Sequence, residues 1–269
     1  MQTAPHLTAP CYIMSDAHLG FASDDVERAV IAFLRHVAAH AGSLVVNGDL
    51  FEFWFEWRTV IPRHGFRAVA ALADVVDAGV PVTMIAGNHD CWGGEVLRRD
   101  VGVDYRFGPW VADVAGWRTH FEHGDGLRPR EDRRYRLLRR LLRNRLAIRS
   151  FRWLHPDMAT PLASHSSNAS RSYGARDGGR GLRDAALRVG ATDASLDLIV
   201  FGHSHVSTLE QLTPATAYAN PGSWLDAPTF LRVTGDRVAL RRWEGSTESA
   251  DLDALDRPAQ KSLAQLEEL

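Results

Sequence analysis

Val80-Pro81-Val82-Thr83-Met84-Ile85-Ala86-Gly87-Asn88-His89-Asp90 is an apolar run that stops abruptly at a group of chemically capable side chains. A short aliphatic and β-branched run closed by glycine reads as a buried strand. The same pattern occurs twice more on its N-terminal side. Cys11-Tyr12-Ile13-Met14 ends in Ser15-Asp16-Ala17-His18, and Leu44-Val45-Val46 ends in Asn47-Gly48-Asp49. Helical patterns separate these strands. Val26, Val30, Phe33, Leu34 and Val37 recur at helical spacing over residues 23–40, with Ser23 as N-cap and Asp24 and Asp25 in the first turn. A second helical stretch covers residues 65–78. Strand, helix, strand, helix, strand predicts an α/β layered fold.

Further along, aromatic and β-branched residues over 103–122 predict two or three strands, broken at Gly108-Pro109 and at Gly116. The last of these ends at His123-Gly124-Asp125, and a buried strand over 196–201 ends at Gly202-His203-Ser204-His205. Residues 207–212, 215–219, 229–234 and 237–243 alternate like antiparallel strands, with a hairpin turn at Thr234-Gly235-Asp236. Residues 127–190 interrupt this order with an Arg/Leu-rich helical stretch and a Ser- and Gly-rich one. The expected organisation is a core in two parts, 1–126 and 191–245, a helical cap insertion over 127–190, and an acidic tail over 246–269. The tail is weakly amphipathic and predicts a loose terminal helix.

With 45% hydrophobic and 24% charged residues in 269, the chain has the composition of a globular protein and not of a disordered one. No stretch approaches the ~18 apolar residues of a membrane span, and the N-terminus lacks the basic and apolar regions of a secretory signal. The two cysteines, Cys11 and Cys91, imply no disulfide framework, so a cytoplasmic location is expected. The formal net charge of −2 does not favour nucleic acid as a partner. Charge is unevenly placed, however: residues 128–152 hold eleven arginines against Glu131 and Asp132.

Five predicted strand ends carry metal-ligand side chains: Asp16 and His18, Asp49, Asn88 with His89 and Asp90, His123 with Asp125, and His203 and His205. In layered α/β proteins ligand sites gather at the carboxyl ends of strands, so these residues are expected to meet. Carboxylate and imidazole donors suit manganese, iron or zinc. Two such ions ~3.5–4 Å apart can bind a phosphoryl oxygen, supply a nucleophile and stabilise an in-line displacement. The adjoining glycines 48, 87, 124 and 202 permit tight turns without a Cβ clash.

This ordered set resembles the calcineurin-like metallophosphoesterase superfamily over most of the chain. The resemblance implies a four-layer αβ/βα sandwich with a helical cap, and two divalent ions, with manganese the expected metal. One ion would take Asp16, His18, Asp49 and His205. The other would take Asp49, Asn88, His123 and His203, with Asp49 bridging. His89 would be a catalytic electrostatic or general-acid group near the leaving group, oriented by Asp90. Asp125 reads as an outer partner that orients a ligand. Within the superfamily, Gly48-Asp49-Leu50-Phe51-Glu52-Phe53-Trp54, His123-Gly124-Asp125-Gly126-Leu127 with Asp132 and Tyr135, and Gly222-Ser223-Trp224 are similar to segments of UDP-2,3-diacylglucosamine pyrophosphohydrolases. That resemblance implies cleavage of a UDP-linked diacylglucosamine to UMP and a lipid monophosphate, with Asp132, Tyr135, Asn168 and Arg171 binding substrate. The best-known branch carries Arg where this chain has His89.

Leu137, Leu138, Leu141, Leu142, Leu146 and Ile148 interleave with the arginines, and Phe151 and Trp153 follow. A helix with an Arg face and an apolar face can cover acyl chains and lie peripherally on the anionic inner-membrane surface. Four rival readings stand beside these. The cap is only a solvated packing element, the cap is a nucleic-acid surface, the core serves a general phosphodiesterase or nuclease, or the fold is a non-catalytic scaffold.

Overall fold

The computed structural model describes residues 4–129, 131–158 and 177–257. Two sheets face each other. The first is seven-stranded, in the order β13-β12-β11-β2-β3-β4-β5, and the second six-stranded, in the order β1-β6-β7-β8-β10-β9. The first comprises β2 (Cys11–Met14), β3 (Ser43–Val46), β4 (Val82–Ile85), β5 (Asp104–Arg106), β11 (Thr229–Val233), β12 (Arg237–Arg242) and β13 (Asp253–Asp256). The second comprises β1 (His6–Leu7), β6 (Trp110–Val114), β7 (Trp117–Phe121), β8 (Leu198–Val200), β9 (Thr208–Gln211) and β10 (Ala217–Asn220).

Successive strand residues point to opposite faces, and the clusters show it. Tyr12, Met14, Leu44 and Val46 meet helices α1 (Asp24–His40) and α2 (Phe66–Asp77), through Phe33, Leu34, Val37, Leu72 and Val75. Cys11, Ile13 and Val45 point the other way, onto Trp117, Phe121, Leu198 and Val200 of the second sheet. On its outer face that sheet carries Ile199, Phe201 and Tyr218. These pack on Leu182, Ala185 and Ala186 of a helix (Arg180–Thr192) that begins inside the stretch 127–190 expected as the cap but lies on this sheet as an outer layer of the core, because its small apolar face fits the sheet. The layers are thus helix, sheet, sheet, helix, as expected. Because β2, β3 and β4 are parallel with in-step register, their carboxyl ends lie side by side.

α1 starts where the sequence indicates, with Ser23 as N-cap. The antiparallel segments of the C-terminal third divide between the sheets. β9 and β10 join the second sheet, where β10 runs parallel to β8, and the β11–β12 hairpin joins the first beside β2. Within the expected insertion, α3 (Arg133–Leu142) and α4 (Arg145–Phe151) stand over a loop rich in aromatics. Ile148 and Phe151 pack on Phe53, Phe55, Trp57 and Trp92, and the two tryptophans donate to the carbonyls of Leu154 and Leu142 at 3.1 and 2.9 Å.

The tail departs from expectation over its described part, and the rest of the expected terminal helix, 258–269, lies outside the described residues. Residues Asp253–Asp256 form an edge strand on β12 and not a helix, and Leu255 packs into the core between the sheets. A weak amphipathic pattern is overridden by the open edge of β12, which supplies hydrogen-bond partners no local propensity can anticipate. Glu248 pins the approach to this strand. Its carboxylate accepts from the Tyr12 hydroxyl, lies 2.8 Å from His36 Nε2 and accepts from Arg241 at 2.7 Å. Burial pushes its pKa up, but the hydrogen bonds from Tyr12, His36 and Arg241 outweigh this and hold it below the ordinary range.

A lowered carboxylate pKa adds stability above the ordinary range that is lost as pH falls through the folded value. Glu248→Ala is therefore expected to cost about 1–3 kcal/mol in denaturant unfolding at neutral pH. The gap from wild type should shrink as pH falls below the ordinary carboxylate range. A gap that stays constant with pH would show that the carboxylate is not the anchor.

Candidate metal centre

The loops that follow β2, β3, β4, β7 and β8 converge at one end of the sandwich. Among the described residues, six that are not glycine have a left-handed φ, and five are candidate ligands. They are Asp16 at 53°, His18 at 48°, Asp49 at 54°, and His203 and His205 both at 61°. Each such position costs of order 1 kcal/mol and persists only where its surroundings over-determine it. Here they are over-determined by loop-to-loop hydrogen bonds. Asp16 N donates to Gly48 O at 3.1 Å, His18 N to Asp49 O at 3.0 Å, and Gly202 N to His123 O at 2.8 Å.

Three sets of ligand atoms come within 4.8 Å of one another: Asp16, His18 and His205; His18, Asp49 and His89; Asp49, His123 and His203. The sets overlap at Asp49 and His18, so the seven residues form one chain of donors. His18 Nε2 lies 3.1 Å from His205 Nε2, and His205 Nε2 lies 3.4 Å from Asp16 Oδ1. His123 Nε2 lies 3.0 Å from Asp49 Oδ2, and His89 Nε2 3.9 Å from the same oxygen. Asn88 brings an amide oxygen that is buried and makes no hydrogen bond. Facing imidazole nitrogens, a shared buried carboxylate and an orphaned amide oxygen are a donor set that fits divalent cations. His205 is 24% exposed and marks the open side of the site.

The charges are strongly coupled. Burial raises the Asp49 carboxyl, but the neighbouring His123 and His89 outweigh it and hold its pKa well below the usual range. Burial works against a charged His123, yet Asp49 beside it pushes its pKa well up. Burial together with the charge of His123 takes His203 down to about 4, so His203 is neutral and ready to donate a lone pair. Burial and then Asp49 push Asp90 up to about 7.

Asp90 does not make the contact expected of it. Its carboxylate accepts from Gly87 N at 2.8 Å and Leu50 N at 2.9 Å, tying the β3 and β4 loops together, while His89 Nδ1 faces the carbonyl of Glu52 at 2.9 Å. Asp125, read as a partner of a ligand, holds the cap helix. Its carboxylate accepts from the Tyr135 hydroxyl at 2.8 Å and pairs with Arg139 at 3.1 Å and Arg143 at 3.4 Å. Tyr135 is thus placed next to the His123 loop. Asp132 is buried in a two-pronged pair with Arg128, at 3.1 and 2.8 Å. Asn168 and Arg171 lie outside the described residues.

Sequence reading alone assigned no role to the supporting polar groups. The Asn47 carbonyl takes His123 Nδ1 at 2.9 Å, the Asn220 amide donates to Gly202 O at 2.7 Å, and Ser223 Oγ donates to Asp16 O at 3.0 Å. Glu52 lies 3.0 Å from His18 Nδ1. These partners are 18 to 207 residues apart in the chain, so no spacing rule links them.

The glycines are as tightly placed as the turns suggested. A Cβ on Gly48 would lie 2.4 Å from His123 Nδ1, on Gly87 2.1 Å from Asp49 Oδ1, and on Gly202 2.5 Å from Ser15 Oγ. Gly87→Ala should therefore displace Asp49 while leaving the fold intact by circular dichroism. An ångström-scale displacement of this kind is expected to lower turnover at least ~100-fold. Full activity in the folded variant would show that Asp49 can move freely.

The family model for the calcineurin-like phosphoesterases matches residues 9–207. A protein of Porphyromonas gingivalis named UDP-2,3-diacylglucosamine hydrolase is 28% identical over 254 residues, covering 87% of this chain and 97% of its own. Proteins of the same name from Serratia proteamaculans and Xanthomonas oryzae pv. oryzae are each 30% identical. They cover 84% and 86% of this chain, and 96% and 97% of their own. The match runs through every loop that brings a candidate ligand to the sheet edge up to His205, and the chain belongs to the calcineurin-like phosphoesterase family of hydrolases.

Proposed function

We propose that this chain hydrolyses the pyrophosphate of a UDP-linked diacylglucosamine, releasing UMP and a lipid monophosphate. The observation that carries the reading is the overlapping donor chain centred on Asp49 beneath a helical insertion of mixed arginine and apolar character. The relatives named above match along nearly their whole length, which supports the same substrate class.

Asp16, His18, Asp49 and His205 would hold one ion, and Asp49, Asn88, His123 and His203 the other. Manganese is the proposed metal, because mixed oxygen and nitrogen donors accept it. Two bound divalent ions supply charge neutralisation at the phosphorus and activate the attacking water. The protein's own groups position the rest. The Asp49 carboxylate, locked by His89 N at 2.9 Å, fixes the distance between the two ligand sets. His89 keeps its Nδ1 on the Glu52 carbonyl and turns Nε2 toward Asp49, where it can hold a proton near the departing lipid phosphate. Water adds to the uridine-side phosphorus and loses one proton to solvent, the bridging P–O bond breaks, and the bond's electron pair leaves on the lipid phosphate oxygen. Tyr135, fixed by Asp125, is proposed to contact substrate at the cap side, together with Asn168 and Arg171. Asp132 would act there through its pair with Arg128.

The cap suits a lipid. Leu137, Leu141, Leu146, Trp153 and Met158 are 60% to 86% exposed, among exposed Arg133, Arg136, Arg140, Arg145, Arg149 and Arg152. A cavity of about 480 Å³ opens among Arg133, Arg136, Leu137, Arg139, Arg140 and Arg143. Apolar side chains set among arginines are the composition of a surface that lies on an anionic bilayer. Among the described residues no helix is long and apolar enough to cross one, so peripheral contact with the inner membrane is the proposed mode.

The test is UMP release from UDP-2,3-diacylglucosamine in the presence of Mn²⁺, beside a small chromogenic phosphodiester. Asp49→Ala should abolish both activities in a folded protein. Replacing Leu137, Leu141 and Trp153 together by Ser should lower turnover of the lipid substrate at least ~10-fold, by loss of about 1.4 kcal/mol or more of apolar contact. The diester rate should hold. No UMP release would overturn the substrate assignment, and equal losses on both substrates would overturn the lipid role of the cap.

A further inference from the structure

Three of the five histidines of the site share one feature beyond their proximity. Each of His18, His89 and His123 turns Nδ1 away from the other donors, onto an oxygen of the protein. For His123 this is the Asn47 carbonyl at 2.9 Å, and for His89 the Glu52 carbonyl at 2.9 Å. For His18 it is the Glu52 carboxylate, 3.0 Å from Nδ1. One residue therefore serves two histidines from two different loops, one with its side chain and one with its backbone. The Glu52 carboxylate also comes within 3.8 Å of His89 Nδ1.

Glu52 is well placed to hold still. Its side chain is 9% exposed, and its backbone N–H donates to Leu19 O at 3.0 Å, joining the loop after β3 to the loop after β2. The His18 and His89 rings meet edge to face with centroids 4.9 Å apart, so a rotation of one ring disturbs the other. An acceptor at Nδ1 keeps the proton on that nitrogen and leaves the Nε2 lone pair facing inward, toward Asp16 and His205. Carboxylate partners of metal-bound imidazoles set ring orientation in this way, and losing such a partner typically weakens metal affinity 10–100-fold.

The geometry points to Glu52 as a positioning residue that aims His18 at its ion and fixes His89 from behind. It makes the ion held by Asp16, His18 and His205 depend on a residue that touches no ion. The inference rests on the metal reading given above. It adds an asymmetry which that reading does not contain: one of the two ions is tied to Glu52 and the other, served by Asn47, is not.

Titration calorimetry with Mn²⁺ alone separates the cases, using chelator-treated wild type, Glu52→Gln and Glu52→Ala. Wild type should take up two ions. Glu52→Ala should bind one of them about 10–100-fold more weakly and keep the affinity of the other. Glu52→Gln retains an acceptor oxygen without the charge and should recover part of the loss, staying at least about threefold weaker at one site. On the small chromogenic diester, both variants should lose kcat with KM unchanged, and the melting temperature of the metal-free Gln variant should match wild type. If Glu52→Ala does not fold, the Gln variant decides alone. Unchanged affinities at both sites overturn the role of Glu52, as does weakening of both ions in step with a lowered melting temperature. A wild type that takes up no Mn²⁺ overturns the metal reading itself and this role with it.

Discussion

A carboxylate buried among imidazoles organises this protein. Asp49 sits with one oxygen on His123 and the other on the backbone N–H of His89, at 3.0 and 2.9 Å, and is 1% exposed. Isolated, such a charge would be expelled or neutralised by protonation. It stays ionised because positively polarised groups surround it, and those groups come from the ends of three different strands. The arrangement demands left-handed backbone at five candidate ligands and glycine at the points where loops press together. The local strain is carried by parallel strands whose apolar faces are filled on both sides.

The same logic extends outward. Around the donors lies a layer of groups that do not meet a ligand site themselves: the carbonyls of Asn47 and Glu52, the carboxylate of Glu52, the amide of Asn220 and the hydroxyl of Ser223. Each removes a rotational freedom from a donor or a donor loop. Asp125 continues the layer in the opposite direction. It lies two residues beyond His123, yet its partners are Tyr135, Arg139 and Arg143 of the cap. The cap helices are thereby linked to the β7 loop by charge, and to the β3 and β4 loops by Phe151 packed on Phe53, Phe55 and Trp57 and by Trp92 donating to Leu142 O. The strand ends and the cap thereby form one connected body.

The readable part of the molecule was the part written in local pattern. The runs ending at Met14, Val46 and Ile85 are apolar because both faces of a central parallel strand are covered, and the polar residues after them mark where the sheet stops. From that, the layered fold and the convergence of Asp16, His18, Asp49, His89, His123, His203 and His205 followed. The helix at 24–40 was legible for a similar reason, since its cap and its apolar stripe lie within one segment.

What escaped the sequence is the choice of partner for each buried polar group. Asp90 accepts from the N–H groups of Gly87 and Leu50, Asp132 from Arg128 and Asp125 from Tyr135 of the cap, because packing brings those donors within reach. The edge strand Asp253–Asp256 is another such case, because an open sheet edge offers backbone partners to whatever segment passes it. Side-chain type and period are properties of a segment and can be read from it. The partner of a buried polar group is a property of the packed whole, because a hydrogen bond must be satisfied somewhere and only the fold brings the candidates together.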